Sequence, residues 1–188
     1  QLRLAFEEVS GEDLNWFFNQ WYEGAGHPSL KFDQKIDTVN NLINVSVIQS
    51  PVGTDSQIFK LPIQIAIFDG NGKHLNDVIL DEKSETFTFP YEGSVKGVLY
   101  DNQQMLLAKM SEEKTTAQYI FQYYNGERYA ARKDGLMKGS RDKGDDGQKL
   151  VLDALSDPFW NIRLLAIGKI GRLRDANKEK GVEIIKIM

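Results

Sequence analysis

The chain has 188 residues, with 23 Lys plus Arg against 27 Asp plus Glu and a formal net charge of −4, which is not the balance of a nucleic-acid binder that must neutralise phosphates. It contains no Cys and only two His, His27 and His74, so disulfides, thiolate zinc sites and a Cys nucleophile are excluded. No apolar run approaches the roughly 20 residues of a membrane span, and no basic-then-apolar leader opens the sequence, so no membrane partner is expected and the compartment stays open.

The charge is unevenly spread. Residues 1–125 carry 9 basic and 17 acidic side chains, and residues 126–188 carry 14 and 10, a swing from −8 to +4 that suggests different modules. The opening Gln1-Leu2-Arg3-Leu4-Ala5-Phe6 reads as the interior of a folded segment, and the last residues are still apolar (Val182, Ile184, Ile185, Ile187, Met188). The expectation is a piece of a larger protein.

The first region is a short helix. Ser10 is expected to cap it, with Asp13 three positions on. Leu14, Phe17, Phe18 and Trp21 follow at helical spacing as one apolar stripe, and Gly24-Ala25-Gly26-His27-Pro28 ends it, since Gly tolerates positive φ and Pro cannot continue a helix. So large a stripe needs a partner surface. Trp16, Trp21 and Tyr22 form an aromatic group whose helical spacing favours a core or interface over a ligand platform.

Residues 29–110 read as β. Leu30–Ile36, Ile43–Ile48, Ile63–Phe68, Thr86–Phe89, Val95–Tyr100 and Met105–Ala108 carry the strand pattern. Asp69-Gly70-Asn71-Gly72 is a hairpin turn, and Gln49–Gly53 and Asp101-Asn102 are further turns. About seven short strands with regular turns predict an antiparallel β-sandwich.

Residues 111–188 read as helical. Ser111 is expected to cap Glu112-Glu113, and Tyr119, Ile120, Tyr123 and Tyr124 form a helical face. Gly139–Gly147 is a polar loop. Asp157-Pro158 opens a helix with Pro at its first position. Phe159, Ile162, Ala166, Ile170 and Leu173 mark one face, and Trp160, Leu164, Ile167 and Gly171 mark another, which predicts packing on more than one side. A further helix starts at Asp175 or Asn177. Asp157, Arg163, Ala166, Gly168 and Gly171 resemble one HEAT-repeat helix, where Asp and Arg bond across neighbouring units and small residues allow close stacking.

Catalytic motifs are sparse. Neither His begins H-E-x-x-H, there is no G-x-S-x-G elbow, and Gly24-x-Gly26 lacks the rest of a dinucleotide fingerprint. Asp142, Asp146, Gly147 and Asp153 have part of a calcium-loop spacing, but Gly144 at the third position cannot supply a side-chain ligand. Asn44-Val45-Ser46 is a glycosylation triplet, meaningful only in a secretory setting.

The string Phe6-Glu7-Glu8-Val9-Ser10-Gly11-Glu12-Asp13-Leu14-Asn15-Trp16-Phe17-Phe18-Asn19-Gln20-Trp21, followed by Gly24 through Pro28, resembles the end of the catalytic domain in the aminopeptidase N family of zinc metallopeptidases. In that family a helix with a Ser-Gly-x-x-Leu start and a Phe-x-x-Trp core leads through a Gly-x-Pro turn into a β-sandwich, and a large HEAT-like helical domain follows. Val98-Leu99-Tyr100-Asp101, Leu106–Lys109 and Tyr119–Gln122 look like the family's sandwich-to-helix junction.

The resemblance implies three parts: 1–28 as the terminal helix of the catalytic domain, 29–110 as the sandwich and 111–188 as the start of the helical domain. It implies interface or structural roles for Leu14, Trp16, Phe17, Phe18, Trp21, Gly26, Pro28, Asp157 and Arg163. Family members hold zinc through H-E-x-x-H and a later Glu, with a Tyr assisting the transition state. None of those motifs maps onto this chain, so no catalytic or metal residue is assigned and no cofactor is expected in it; zinc would belong to the parent. The implied function is a non-catalytic C-terminal region of a zinc-dependent aminopeptidase that removes N-terminal residues from peptides. Its expected partners are the upstream catalytic domain, the downstream helical repeats and the parent's peptide substrate. The alternative is a catalytically inactive scaffold of the same architecture. A free-standing glycan- or protein-binding sandwich would need exposed aromatics on the sheet, and the aromatics fall mostly at core positions.

Overall fold

Why these sequences become these elements is clearest in the strands. The computed structural model describes residues 1–187, so Met188, the last residue of the apolar terminus noted above, lies outside the described residues. The fold is mixed α and β, with two sheets and seven α-helices among the described residues. The Cα framework separates into two compact units. One comprises Gln1–Ile63, Asn76–Glu92 and Met105–Glu113; the other comprises Gln64–Leu75, Gly93–Gln104 and, of the described residues, 114–187.

The four-stranded sheet has the order β5-β2-β1-β7, with β1 His27–Asp37, β2 Leu42–Val52, β5 Ser84–Pro90 and β7 Lys109–Glu112. In β2 the alternation buries Ile43, Val45 and Val47 completely, and Gln49 continues the same buried row. A side-chain period of two leaves only one register in which all of these face inward, and Phe32 sits opposite Val47 in it. On the opposite face, Ser46 Oγ lies 2.9 Å from Thr86 Oγ1 and Thr88 Oγ1 donates to Asn44 Oδ1 at 2.7 Å, cross-strand pairs that suit a wet surface. The Asn44 triplet thus lies inside a strand paired on both sides.

The three-stranded sheet has the order β4-β3-β6, with β3 Leu61–Asp69, β4 Gly72–Leu80 and β6 Gly97–Leu99. The turn at Gly70-Asn71 joins β3 to β4, with Gly72 at φ 122°. Asp69 Oδ1 accepts the Asn71 amide at 2.8 Å and faces His74 Nε2 at 3.0 Å, so the hairpin carries its own polar staple.

Several expectations change. β7 runs parallel to β1, pairing Leu30 with Met110 and Phe32 with Glu112, so the sheets are antiparallel-rich rather than wholly antiparallel. β2 runs through Gln49–Val52, where a turn was expected, because Gln49 has a buried use for its amide. Met105–Ala108 is not a strand; Met105 and Leu107 are exposed. Ser111 lies in β7 instead of capping a helix. The cap is Thr115, whose hydroxyl accepts the Gln118 amide while the Gln118 side chain accepts the Thr115 amide.

The helices of the second unit are α3 Thr116–Asn125, α4 Tyr129–Gly139, α5 Asp145–Ala154, α6 Trp160–Ile167 and α7 Asp175–Lys186, with a 3₁₀ turn over Ile170–Arg172. Their core holds Tyr123, Leu136, Leu150, Val151, Ala154, Leu155, Ile162, Ala166, Ile170 and Leu173. α3 and α4 approach closely at Gly135, where a Cβ would stand 2.7 Å from the Tyr123 backbone nitrogen. The first helical residue of α6 is Trp160 rather than Pro158. One face of α6 is buried through Ile162 and Ala166, while Trp160, Leu164 and Ile167 on the other face are exposed in this chain.

Candidate functional site

The N-terminal region is two helices, not one. Leu2–Ser10 forms α1, which Gly11 ends in the left-handed conformation at φ 73°. Ser10 is therefore the last residue of a helix and does not cap the next one. α2, Asn15–Phe18, continues into a π-helical turn at Asn19–Glu23. Leu14 takes the capping position, its amide donating to Glu7 Oε1 at 2.9 Å, while Asp13 Oδ1 accepts the Asn15 amide. Glu7 also accepts from Arg3 at 2.7 Å, which ties α1 to the start of α2.

The aromatic residues form a chain of ring contacts. Phe18 stacks on Tyr22 at 4.8 Å and leans on Phe6 at 6.5 Å, while Phe17 meets Trp16 edge-on at 5.8 Å. Trp21 packs against Phe59 at 5.0 Å, and Lys60 Nζ stands 5.3 Å from the Trp16 ring. Trp16, Phe17, Trp21, Lys60, Leu61, Pro62 and Met105–Leu107 line an open groove of about 430 Å³. α1 has no buried residue, leaving Leu2, Leu4, Phe6 and Val9 exposed beside this unit's other apolar side chains.

Two glutamines that sequence reasoning did not single out hold the groove's wall. Gln20, buried in the π-helical turn, donates to Lys60 O at 3.2 Å and accepts from Lys60 N at 2.7 Å. Gln49, from β2, does the same to Phe59, at 3.0 and 2.6 Å. Residues 57–60 belong to no strand, so these amides replace a sheet partner for their backbone. The signal in the sequence was Gln49 in phase with Ile43, Val45 and Val47: a polar side chain on a buried row.

Gly24 ends the π-helical turn in an extended conformation, and the positive φ falls on Gly26, at 83°. A Cβ there would lie 2.4 Å from Ser56 Oγ and 2.5 Å from Val52 O, so only glycine fits. Pro28 is buried in β1, opposite Pro51.

In the second unit Asp157 centres a buried polar cluster. Its carboxylate accepts from Tyr123 Oη at 3.1 Å, from Arg132 Nε at 3.1 Å and from the Phe159 amide at 2.8 Å. Burial, followed by the Asp157 carboxylate, pushes the Tyr123 hydroxyl above its ordinary value. Arg163 does not touch that carboxylate. It donates to the backbone carbonyls of Asp157 at 2.9 Å and Pro158 at 3.1 Å, closing the turn before α6. The Asp–Arg link between helices is made instead by Arg132 of α4, which sequence reasoning missed.

The candidate ligating residues have local uses. His74 pairs with Asp69, and His27 opens β1 in the other unit with its Nε2 buried. Asp142 accepts the amides of Gly144 and Gly147, and Asp153 accepts from Tyr124 and pairs with Lys149. Among the described residues no group of three or more His, Cys, Asp or Glu side chains is placed to hold a metal, and no helix is long and apolar enough to cross a membrane.

No protein-family model matches the chain. A curated aminopeptidase N from Haemophilus influenzae is 29% identical over an alignment covering 45% of this chain and 11% of that protein. The crystal structure of Legionella pneumophila aminopeptidase A in complex with aspartic acid superposes with a TM-score of 0.67 at 15% identity, over 98% of this chain and 24% of that one. The chain therefore spans a small part of the aminopeptidases it is similar to, and nearly all of its fold occurs inside one of them.

Proposed function

We propose that this chain is a non-catalytic region of a zinc-dependent aminopeptidase, joining the catalytic domain to a helical domain and shaping access to the active site. In this reading residues 1–28 end the catalytic domain, 29–110 form a β-sandwich and 111–188 begin a HEAT-like helical domain. The observation that carries it is the fold match over 98% of the chain to part of an aminopeptidase, reached independently of the 29% identity to an aminopeptidase N.

The exposed apolar residues fit the same role. Leu2, Leu4 and Phe6 on α1, with the Trp16–Phe17 groove, would pack on the rest of the catalytic domain; Trp160, Leu164 and Ile167 on α6 would face further helices. In this proposal zinc and the peptide-cleaving groups belong to the upstream part of the parent. A helical domain over such a site restricts entry to small peptides and excludes water during the reaction.

The coding frame upstream of Gln1 tests the proposal. It is expected to encode H-E-x-x-H with a second Glu further on. A frame without that motif removes the enzymatic reading and leaves the inactive scaffold, in which the same apolar surfaces serve protein partners.

A further inference from the structure

In the second unit, a cleft of about 680 Å³ opens between the α4–α5 loop, the first turns of α5 and the segment Lys169–Arg174. Its lining is strongly basic. Arg141, Lys143, Lys169, Arg172 and Arg174 contribute five cations, and Asp142 is the one acid among the lining residues. Asp142 is already engaged, accepting the amides of Gly144 at 2.9 Å and Gly147 at 3.2 Å. Arg174 is partly neutralised by Asp145 at 2.7 Å.

Lys169 is the informative residue. It is 7% exposed as a whole residue, its stem is buried while its ammonium still meets solvent in the cleft, and no described acid pairs with it. A buried charge without a partner is costly, and the cost rises beside like charges. Burial chiefly, and then the neighbouring charges of Arg172 and Arg141, lower its pKa. The cleft has the volume of a small-molecule site and exceeds what a single phosphate fills.

We infer that this cleft binds a phosphorylated small molecule carrying two or more negative charges, with Lys169 as the central cation and Arg141 and Arg172 beside it on the anion. Guanidinium forks and a lysine point charge together suit phosphate oxygens. Nothing in this inference depends on the peptidase reading, since every group named lies within the second unit.

The test is calorimetric titration of the 188-residue chain with inorganic tripolyphosphate at 150 mM salt, using inorganic phosphate as the size control. The expected result is saturable one-to-one binding of tripolyphosphate, at least tenfold tighter than phosphate. Lys169→Met, which keeps the apolar stem, should weaken it at least tenfold while raising the melting temperature of the unliganded chain. Arg141→Gln, on an exposed side chain, should weaken binding severalfold. Lys180→Gln, an exposed charge on α7, should leave it unchanged. Absence of saturable binding, or equal binding by the Lys169 and Lys180 variants, overturns the site. So does loss of binding in Lys169→Met alone with full binding by Arg141→Gln.

Discussion

Single side chains in this protein do work that their neighbours in sequence do not announce. Asp157 is the clearest case, since its buried carboxylate depends on Arg132 and Tyr123 for charge and hydrogen bonds. Arg132→Met leaves that carboxylate without its cation and is expected to cost about 3–5 kcal/mol of stability. Arg163→Met removes donors only to backbone carbonyls and is expected to cost about 1 kcal/mol. Denaturant unfolding of the two variants distinguishes them, and equal losses would refute the role assigned to Arg132. Tyr123 gives a pH signature. Its folded-state pKa lies above the ordinary value of 10.0, so the folded state holds that proton more tightly than the unfolded one. The stability this brings is complete below about pH 10 and is lost as pH rises through the folded value. Denaturation midpoints are expected to be flat from pH 8 to 10 and to fall above it, with a shallower fall in Tyr123→Phe.

At the level of elements, what could be read from the sequence followed burial. β2 was legible because one face is wholly buried, and a period of two then appears as Ile43, Val45 and Val47. β4 was not, because it is an edge strand with Leu75 and Ile79 exposed, and its pattern records no single buried face. Met105–Ala108 misled for the converse reason: its apolar residues lie on the surface of the groove instead of in a sheet. α4 escaped notice because Gly135 and Gly139 resemble helix breakers, whereas Gly135 lets α4 approach α3. The segment at 57–60 was invisible, since its backbone is satisfied by side chains far away in sequence. Gln49→Leu leaves the buried amide and carbonyl of Phe59 unpaired and is expected to cost about 3 kcal/mol. Hydrogen exchange at the Phe59 amide should accelerate more than at β2 amides; a uniform change would show that the two glutamine clamps do not act locally.

At the scale of the whole chain, the order of helix, strands and helices was legible, and so was the resemblance carried by the residues around Phe17 and Trp21. The structure adds surfaces that sequence periodicity could not separate into covered and uncovered, above all α1 and the outer face of α6. For the candidate site, Gly26 was named from its turn and has the positive φ that requires glycine, while Arg163 was named from a repeat pattern and makes a different bond. The distinction is physical: backbone constraint is local and shows in residue type, but side-chain pairing across helices depends on packing. The most direct test of the functional proposal is hydrolysis of an aminoacyl p-nitroanilide by the intact parent protein and by this chain alone. The account predicts hydrolysis by the parent that a chelator abolishes and zinc restores, and none by the chain. An intact parent that binds no zinc and cleaves no such reporter would contradict it, as would hydrolysis by the purified chain itself.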